Sequence, residues 1–562
     1  MPGEGTDTIR SDTTFDISTQ ANFENIELTG LASIDATGNT LANRLTGNDG
    51  DNRLDGGTGR DTLIGGAGND TYVVDDYFDE TIEAVDGGID GLISSISRTL
   101  AAHIETLTLT GLAALAGNGN DLANAITGNS GNNALRGNGG DDTLNGGLGS
   151  DLMVGGEGND TYYVDAYFDQ TIETAGAGTD HVISSISRTL AAHIENLTLT
   201  GLAALAGNGN DLANAITGNS GNNALRGYGG DDTLDGGLGG DLMVGGAGND
   251  TYFVDAYFDQ TIESAGEGID LVISSISRTL AANVEDLVLT GLAALAGNGN
   301  GLANDIIGNT GNNALRGYDG DDTLDGGLGS DLMVGGAGND TYYVDAYFDQ
   351  TIESANEGTD SVISSISRSL TANIENLTLT GLAALSGNGN DLDNTINGNS
   401  GSNVLRGYAG NDVIRGNAGA DTILGGLGRD TLSPGNDSDR DIIRYASVVE
   451  STGVTRDLIT GMDLNGEDRF DFPAIPTLIR AQVSTGTLSA ASFDADLSAA
   501  IGAAQLGAGQ AVLFDLPAGN LNVAGRIYLI VDANGIAGYQ AGQDYVIELA
   551  NHTGTLTLDD FI

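Results

Sequence analysis

A nine-residue period leaves few folds open to this chain. Successive ninemers begin at Gly209, Gly218, Gly227, Gly236 and Gly245. Gly236-Gly237-Leu238-Gly239-Gly240-Asp241-Leu242-Met243-Val244 is one of them, and the form is G-G-x-G-x-D-x-U-x with U apolar. The glycines let a turn visit positive φ and bring backbone carbonyls close to an ion. The D-x-U-x half reads as a short strand whose eighth side chain, such as Leu234, Met243 or Tyr252, points inward by strand alternation. Two ninemers then make one flattened coil with a turn at each end, and turns 18 residues apart stack on the same edge. The 89 glycines argue against helix bundles, and the 5 prolines and lack of a three-residue glycine period exclude collagen.

The sixth position carries Asp61, Asp70, Asp142, Asp151, Asp160, Asp232, Asp241, Asp250, Asp322, Asp331, Asp340, Asp412, Asp421 and Asp430. Carboxylate oxygens are hard donors of the kind Ca²⁺ prefers. Ordinary Gly-Asp turns account for one such residue but not for Asp at one phase in consecutive ninemers. Stacked carboxylates repel unless a cation lies between them, so these residues are the expected ligands of multiple Ca²⁺ ions, with binding coupled to folding. Asp7, Asp90, Asp180, Asp270 and Asp360 sit in related GxD turns and are second-rank metal candidates. Asn124, Asn133, Asn214, Asn223, Asn304, Asn313, Asn394 and Asn403 hold the same phase without charge, which predicts a hydrogen-bonded ladder and weak or absent calcium.

The net charge of -59, with 20 Arg and no Lys, disfavours nucleic acid as a partner. The absence of Cys removes disulfides, thiolate metal sites and cysteine nucleophiles. The start of the chain has no basic region followed by an apolar run, so it is not a usual signal peptide, and no apolar stretch is long enough to span a membrane.

A second period of 90 residues contains the first. TYVVD at Thr71 recurs as TYYVD at Thr161 and Thr341 and as TYFVD at Thr251. Only 15 of 90 positions differ between 161–250 and 251–340. The expected organisation is a partial first repeat at 1–70, units at 71–160, 161–250, 251–340 and 341–430, and a C-terminal cap and secretion domain at 431–562. The partial repeat lacks one ninemer and starts partway through the unit. Directly joined, near-identical units read as a solenoid rather than as separate beads. The apolar positions Val182, Ile183, Ile186, Leu190, Ile194, Leu197 and Leu199 lie among Ser and Thr, so the coil is expected to continue between the Gly-rich blocks as five coils of 18. A short helix there is the competing reading. At about 4.8 Å per coil, each unit adds roughly 24 Å. Tyr162-Tyr163 and Tyr167-Phe168 recur in each unit; they read as coil packing, with a sugar-binding surface as the alternative.

The ninemers end at Asp430, and Pro434 with Asn436-Asp437-Ser438-Asp439 marks a boundary. Beyond it, Ala511–Phe514 and Arg526–Val531 read as strands and the Ala-rich 488–505 as a helix. Phe470, Phe472, Phe493 and Phe514 read as one separate core, and the segment as a cap over open strand edges.

These ninemers resemble those of repeats-in-toxin (RTX) proteins. Asp441-Ile442-Ile443-Arg444-Tyr445, Arg456-Asp457-Leu458-Ile459-Thr460-Gly461 and Asp468-Arg469-Phe470-Asp471-Phe472 resemble the C-terminal domain of serralysin-type metalloproteases. The final Leu558-Asp559-Asp560-Phe561-Ile562 is similar to the terminal export signal of that class. The resemblance implies an all-β, right-handed parallel β-roll, Ca²⁺, type I secretion without a cleaved leader, and folding after export. It does not imply protease activity: His103, His181, His193 and His552 form no HExxH motif, and neither GxSxG nor a phosphate loop occurs. The expected function is a calcium-dependent extracellular structural protein of a surface layer, matrix, filament or adhesin. End-to-end self-association, a cell-surface polysaccharide and the secretion machinery are the expected partners. The alternative is the repeat and export portion of a secreted protease, lipase or polysaccharide epimerase.

Overall fold

The computed structural model describes residues 5–435, 437–464, 466–515 and 526–562. Residues 1–4 and Asn436, which the start and boundary readings used, lie outside the described residues. The chain divides into two compact units, Met1–Ile273 with Ala281–Asn283, and Ser274–Leu280 with Val284–Ile562.

The first unit is a parallel β-solenoid. Thr161–Val164, His181–Ser184, Asn196–Leu199, Ala215–Thr217, Thr233–Asp235 and Thr251–Val254 pair in succession along one ladder. Their partners Thr161↔His181↔Asn196↔Ala215↔Thr233↔Thr251 make coils of 20, 15, 19, 18 and 18 residues. The 90-residue period therefore holds five coils of uneven length. The Gly-Asp ninemers keep 18, while the stretch between them trades one long coil for one short one. Residues 188–199 contribute strands Arg188–Thr189 and Asn196–Leu199 rather than a helix.

Strand alternation places the eighth ninemer position inside. Leu144, Met153, Tyr162, Leu234, Met243 and Tyr252 are fully buried, each burial contributing about 1.5–3 kcal/mol for aliphatic side chains of this size. A second ladder runs through Arg98–Thr99, Ala116–Asn118, Ala134–Gly139, Leu152–Glu157 and Gln170–Ile172. It stops there, and a new five-stranded sheet begins at Arg188–Thr189.

The second unit repeats the coil steps through Thr341, Ser361, Asn376, Thr395, Val413 and Thr431. Its first ladder then changes character. Leu458–Thr460 pairs in parallel with Tyr545–Ala550, which pairs antiparallel with Arg526–Val531, and that strand pairs antiparallel with Ala511–Asp515. An exposed parallel edge is thereby covered. The helix is Phe493–Ala500, shorter than the Ala-rich stretch 488–505. It packs Phe493 and Leu497 against Phe514, Tyr528, Ile530 and Val546. Phe470 and Phe472 do not join this core, contrary to the single core read from sequence. They stack instead with Tyr445 and Phe561, because Arg469–Asp471 still pairs with the coil strand Ile442–Arg444.

Candidate metal centre

Local sequence builds the turn before any ion is considered. In Gly146-Gly147-Leu148-Gly149-Ser150-Asp151, Gly147 and Gly149 have φ of 73° and 142°, the left-handed region that glycine tolerates. A Cβ on Gly146 would lie 2.6 Å from the Asp151 Cβ, so this first glycine lets the backbone lie over the aspartate.

The sixth-position side chains form ladders along both edges. On one edge the Asn124 N–H donates to Asp142 Oδ1 at 2.7 Å, Asp142 N–H to Asp160 Oδ1 at 2.7 Å and Asp160 N–H to Asp180 Oδ1 at 2.8 Å. The Asp180 N–H ends on Glu195 Oε2 at 2.8 Å. On the other edge Asn133 N–H donates to Asp151 at 2.6 Å and Asp151 N–H to Asp169 at 3.0 Å. The pattern recurs for Asp232, Asp241 and Asp250, for Asp322, Asp331 and Asp340, and for Asp61 and Asp70.

Asn and Asp behave differently at the same phase. Asn124 Oδ1 accepts from the Asn120 N–H at 2.7 Å, and its amide donates to the Ile104 and Glu105 carbonyls, each at 3.3 Å. The amide is satisfied at both ends. A carboxylate has no donor to offer those carbonyls. Oδ2 is buried without a hydrogen-bond partner on Asp61, Asp70, Asp142, Asp151, Asp160, Asp232, Asp241, Asp250, Asp322, Asp331, Asp340, Asp412, Asp421 and Asp430, the whole sixth-position Asp set, and on Asp90 and Asp180. Leaving a buried charged oxygen unpaired is costly. Burial, opposed by the N–H bond from Asn124 and aided by the nearby Asp160 charge, pushes Asp142 up to about 7. Burial likewise raises Asp232 to about 7 and Asp151 and Asp160 to about 6.

Four buried triads gather these carboxylates more tightly: Asp70-Glu83-Asp90, Asp160-Glu173-Asp180, Asp250-Glu263-Asp270 and Asp340-Glu353-Asp360, each with one oxygen per residue within 4.8 Å of the others. Their donor chemistry and burial are consistent with Ca²⁺. The Tyr162 hydroxyl donates to Glu173 and accepts from the Gly155 N–H at 2.7 Å. Burial, joined by the Asp270 and Asp250 charges, pushes Glu263 up to about 8. The second-rank residues Asp90, Asp180, Asp270 and Asp360 are thus held in the triads. Asp7 is exposed, with only its backbone in the ladder.

Sequence reasoning missed three groups. The triad glutamates lie outside the ninemers and carried no signal of their own. Asp79 and Asp169 follow Asp61 and Asp151 by 18 residues, a phase that would have found them. Asp169 Oδ2 accepts from the Asp165 and Ala166 N–H groups at 3.2 and 2.9 Å, so this carboxylate closes its ladder without an unpaired oxygen. Asp441, Asp457 and Asp468 extend both ladders beyond Asp430, receiving the N–H groups of Asp421, Asp430 and Asp441 at 2.8, 2.9 and 3.1 Å. Each keeps the D-x-U half of the ninemer after the glycines have gone.

The aromatic reading divides as well. Tyr72, Tyr162, Tyr252 and Tyr342 are core residues. Packing fails for Tyr167 and Phe168, which lie in a turn and are 81% and 69% exposed.

No curated protein matches the chain. Residues 37–72, 127–162, 205–243, 217–252, 298–333, 307–342, 329–346, 388–423, 397–432 and 409–440 match the family model of the RTX calcium-binding nonapeptide repeat. Glu173 and Asp180 fall outside those matches, whereas Asp142, Asp151 and Asp160 fall within them. The Gly-Asp blocks of this chain match the RTX calcium-binding nonapeptide repeat and are wound into a parallel β-solenoid.

Proposed function

We propose that this protein is a calcium-dependent extracellular structural component, of a surface layer, matrix, filament or adhesin, that leaves the cell by type I secretion and folds on meeting calcium. The supporting observation is the file of buried carboxylates whose Oδ2 atoms lack any donor. At neutral pH each must take up a proton or share a cation, and a divalent ion between successive coils removes the repulsion and joins the coils at once. The ligands are the sixth-position Asp residues, Asp90, Asp180, Asp270 and Asp360, and the triad glutamates; Asp7, whose side chain is exposed, is the weakest of the set. Near-identical units at 71–160, 161–250, 251–340 and 341–430 favour extension over chemistry. Residues 431–562 serve as cap and export domain, their ending Leu558-Asp559-Asp560-Phe561-Ile562 resembling a type I signal. Subunits associate end to end.

Calcium titration of chelator-treated protein tests this reading. Circular dichroism should show strand content appearing with calcium, and electron microscopy of the same sample should show polymers only in its presence. A demetallated sample with its full strand signal, taking up no calcium, sinks the proposal.

A further inference from the structure

A groove that the calcium ladders leave unused opens where the second ladder breaks. In the first unit a cavity of about 380 Å³ is lined by Tyr77, Ser97, Arg98, Thr99, Ala116 and Asn118. In the second unit a cavity of about 360 Å³ is lined by Tyr347, Ser367, Arg368, Ser369, Ser386 and Asn388. These are the same six positions, 270 residues on, so the period that repeats the coil repeats the groove. Among the described residues no acidic side chain lines either one, in a chain where 79 acids face 20 bases.

The rim is aromatic and open. Tyr77 and Phe78 are 76% and 59% exposed and meet edge to face at 5.4 Å; Tyr347 and Phe348 do the same at 5.2 Å. Exposed aromatic pairs give up burial energy, and their recurrence marks a surface with a use. The polar side is preset. Ser97 Oγ accepts from the Ala116 N–H at 2.9 Å, and Asn118 Nδ2 donates to Thr99 Oγ1 at 3.1 Å. Ser367 and Asn388 repeat this at 2.9 and 2.8 Å. Arg368 is anchored on the Asp349 carbonyl at 2.8 Å and the Thr351 hydroxyl at 3.2 Å, and Arg98 on the Tyr77 and Asp79 carbonyls. Neither guanidinium pairs with a carboxylate among the described residues.

The geometry points to a binding groove for an uncharged, hydroxyl-rich polysaccharide. The tyrosine ring takes the apolar face of a sugar, while serine, threonine, asparagine and arginine take its hydroxyls. Charge decides against an acidic polymer: residues 161–250 hold 11 Asp and Glu against 2 Arg, and a single fixed guanidinium per groove does not offset that field. Within the first unit Tyr77 and Tyr167 lie five coils apart, roughly 24 Å at about 4.8 Å per coil. A linear polymer can therefore engage successive weak grooves and gain avidity. This goes beyond the calcium reading and uses none of its ligands.

The test passes calcium-loaded full-length protein over immobilised β-1,3-glucan, β-1,4-glucan, xylan, mannan and dextran, with polygalacturonate as the acidic comparison. Retention is expected on at least one neutral polymer and not on polygalacturonate. Replacing Tyr77, Tyr167, Tyr257 and Tyr347 together by Ala should weaken retention roughly 10-fold or more, with circular dichroism and calcium stoichiometry unchanged because these rings are 76–83% exposed. Absence of retention on every neutral polymer overturns the proposal, as does retention the variant leaves intact or binding to polygalacturonate alone. If the variant abolishes self-association while glycan retention persists, the groove receives a second copy of the chain and the proposal fails.

Discussion

The Gly-Asp coils and the C-terminal antiparallel sheet bury acids in opposite ways. Glu548, 1% exposed, lies among Arg429 at 3.3 Å, Arg456 at 3.4 Å and Arg526. Asp142, equally buried, accepts one N–H on Oδ1 and nothing on Oδ2. Around Glu548 the cap supplies Arg456 and Arg526, joined by Arg429 of the last ninemer, beside an apolar core around Leu497, Phe514 and Ile530, whereas Asp142 has no such cation beside it. The line between the two regimes does not fall at the end of the ninemers. Asp457 Oδ2 is still unpartnered, and burial beside Asp430 holds that carboxyl well above the usual range.

Chelation should separate the two regions most strongly. In excess chelator at pH 7.5, amide protection across 37–440 should fall by about 1000-fold or more, equivalent to about 4 kcal/mol of ligand stabilisation. Protection in Arg526–Val531 and Tyr545–Ala550 should persist. Hydrogen exchange by mass spectrometry reads both in one sample, and equal loss in coils and cap would break the distinction. A smaller effect is expected from Asp142→Asn with Asp151→Asn, which turns charged steps into copies of the Asn124 step. Calorimetry should count fewer calcium ions, while the metal-free coils should be no less stable than the parent, since the amide satisfies what the carboxylate leaves open.

The pH response follows from the raised carboxyls. Asp61, Asp142 and Asp232 sit at about 7 when folded without metal, against about 3.9 unfolded. The metal-free fold then binds more protons than the unfolded chain between about pH 4 and 7, so its stability falls as pH rises through that window. Calcium competes with those protons. Its affinity should weaken as pH drops from 7.5 through 6, while the metal-free coils become more stable; calcium titrations and thermal melts at pH 5, 6 and 7.5 check both signs.

Much of this arrangement is legible in the sequence because glycine and aspartate at fixed phase dictate turn, strand and edge together. Tyr252 and Met243 had to face inward once Asp250 and Asp241 were assigned to edges. What escapes is set by distance along the chain. Glu173 reaches Asp160 only because one coil takes 20 residues and returns the chain beside it, and no ninemer contains that step. The breaks between Glu80–Ile82 and Arg98–Thr99 and between Gln350–Ile352 and Arg368–Ser369, where the two grooves lie, fall at the equivalent irregular coil of their own repeats. Phe470 was misassigned for a related reason: its neighbour Asp468 still obeys the ladder, so the residue stays with the coils.

The smallest expected difference compares two phenols that each donate to a carboxylate. Tyr539 donates to Asp494 at 2.6 Å in the cap, and Tyr162 donates to Glu173 in a triad. Removing a hydroxyl from a folded domain costs about 1 kcal/mol through the lost hydrogen bond. Tyr539→Phe should therefore lower cap stability by about that much with or without calcium. Tyr162→Phe removes a proton donor that steadies Glu173 when no cation is near. With calcium bound, the ion supplies that positive charge, and the phenol's donation matters less. The variant should destabilise the metal-free coils more than the calcium-loaded ones, read as a difference in denaturation midpoint between the two states. Equal shifts in both states would mean that Glu173 never exchanges the phenol for the ion, and that the triad holds its acid as the cap does, by protein partners alone.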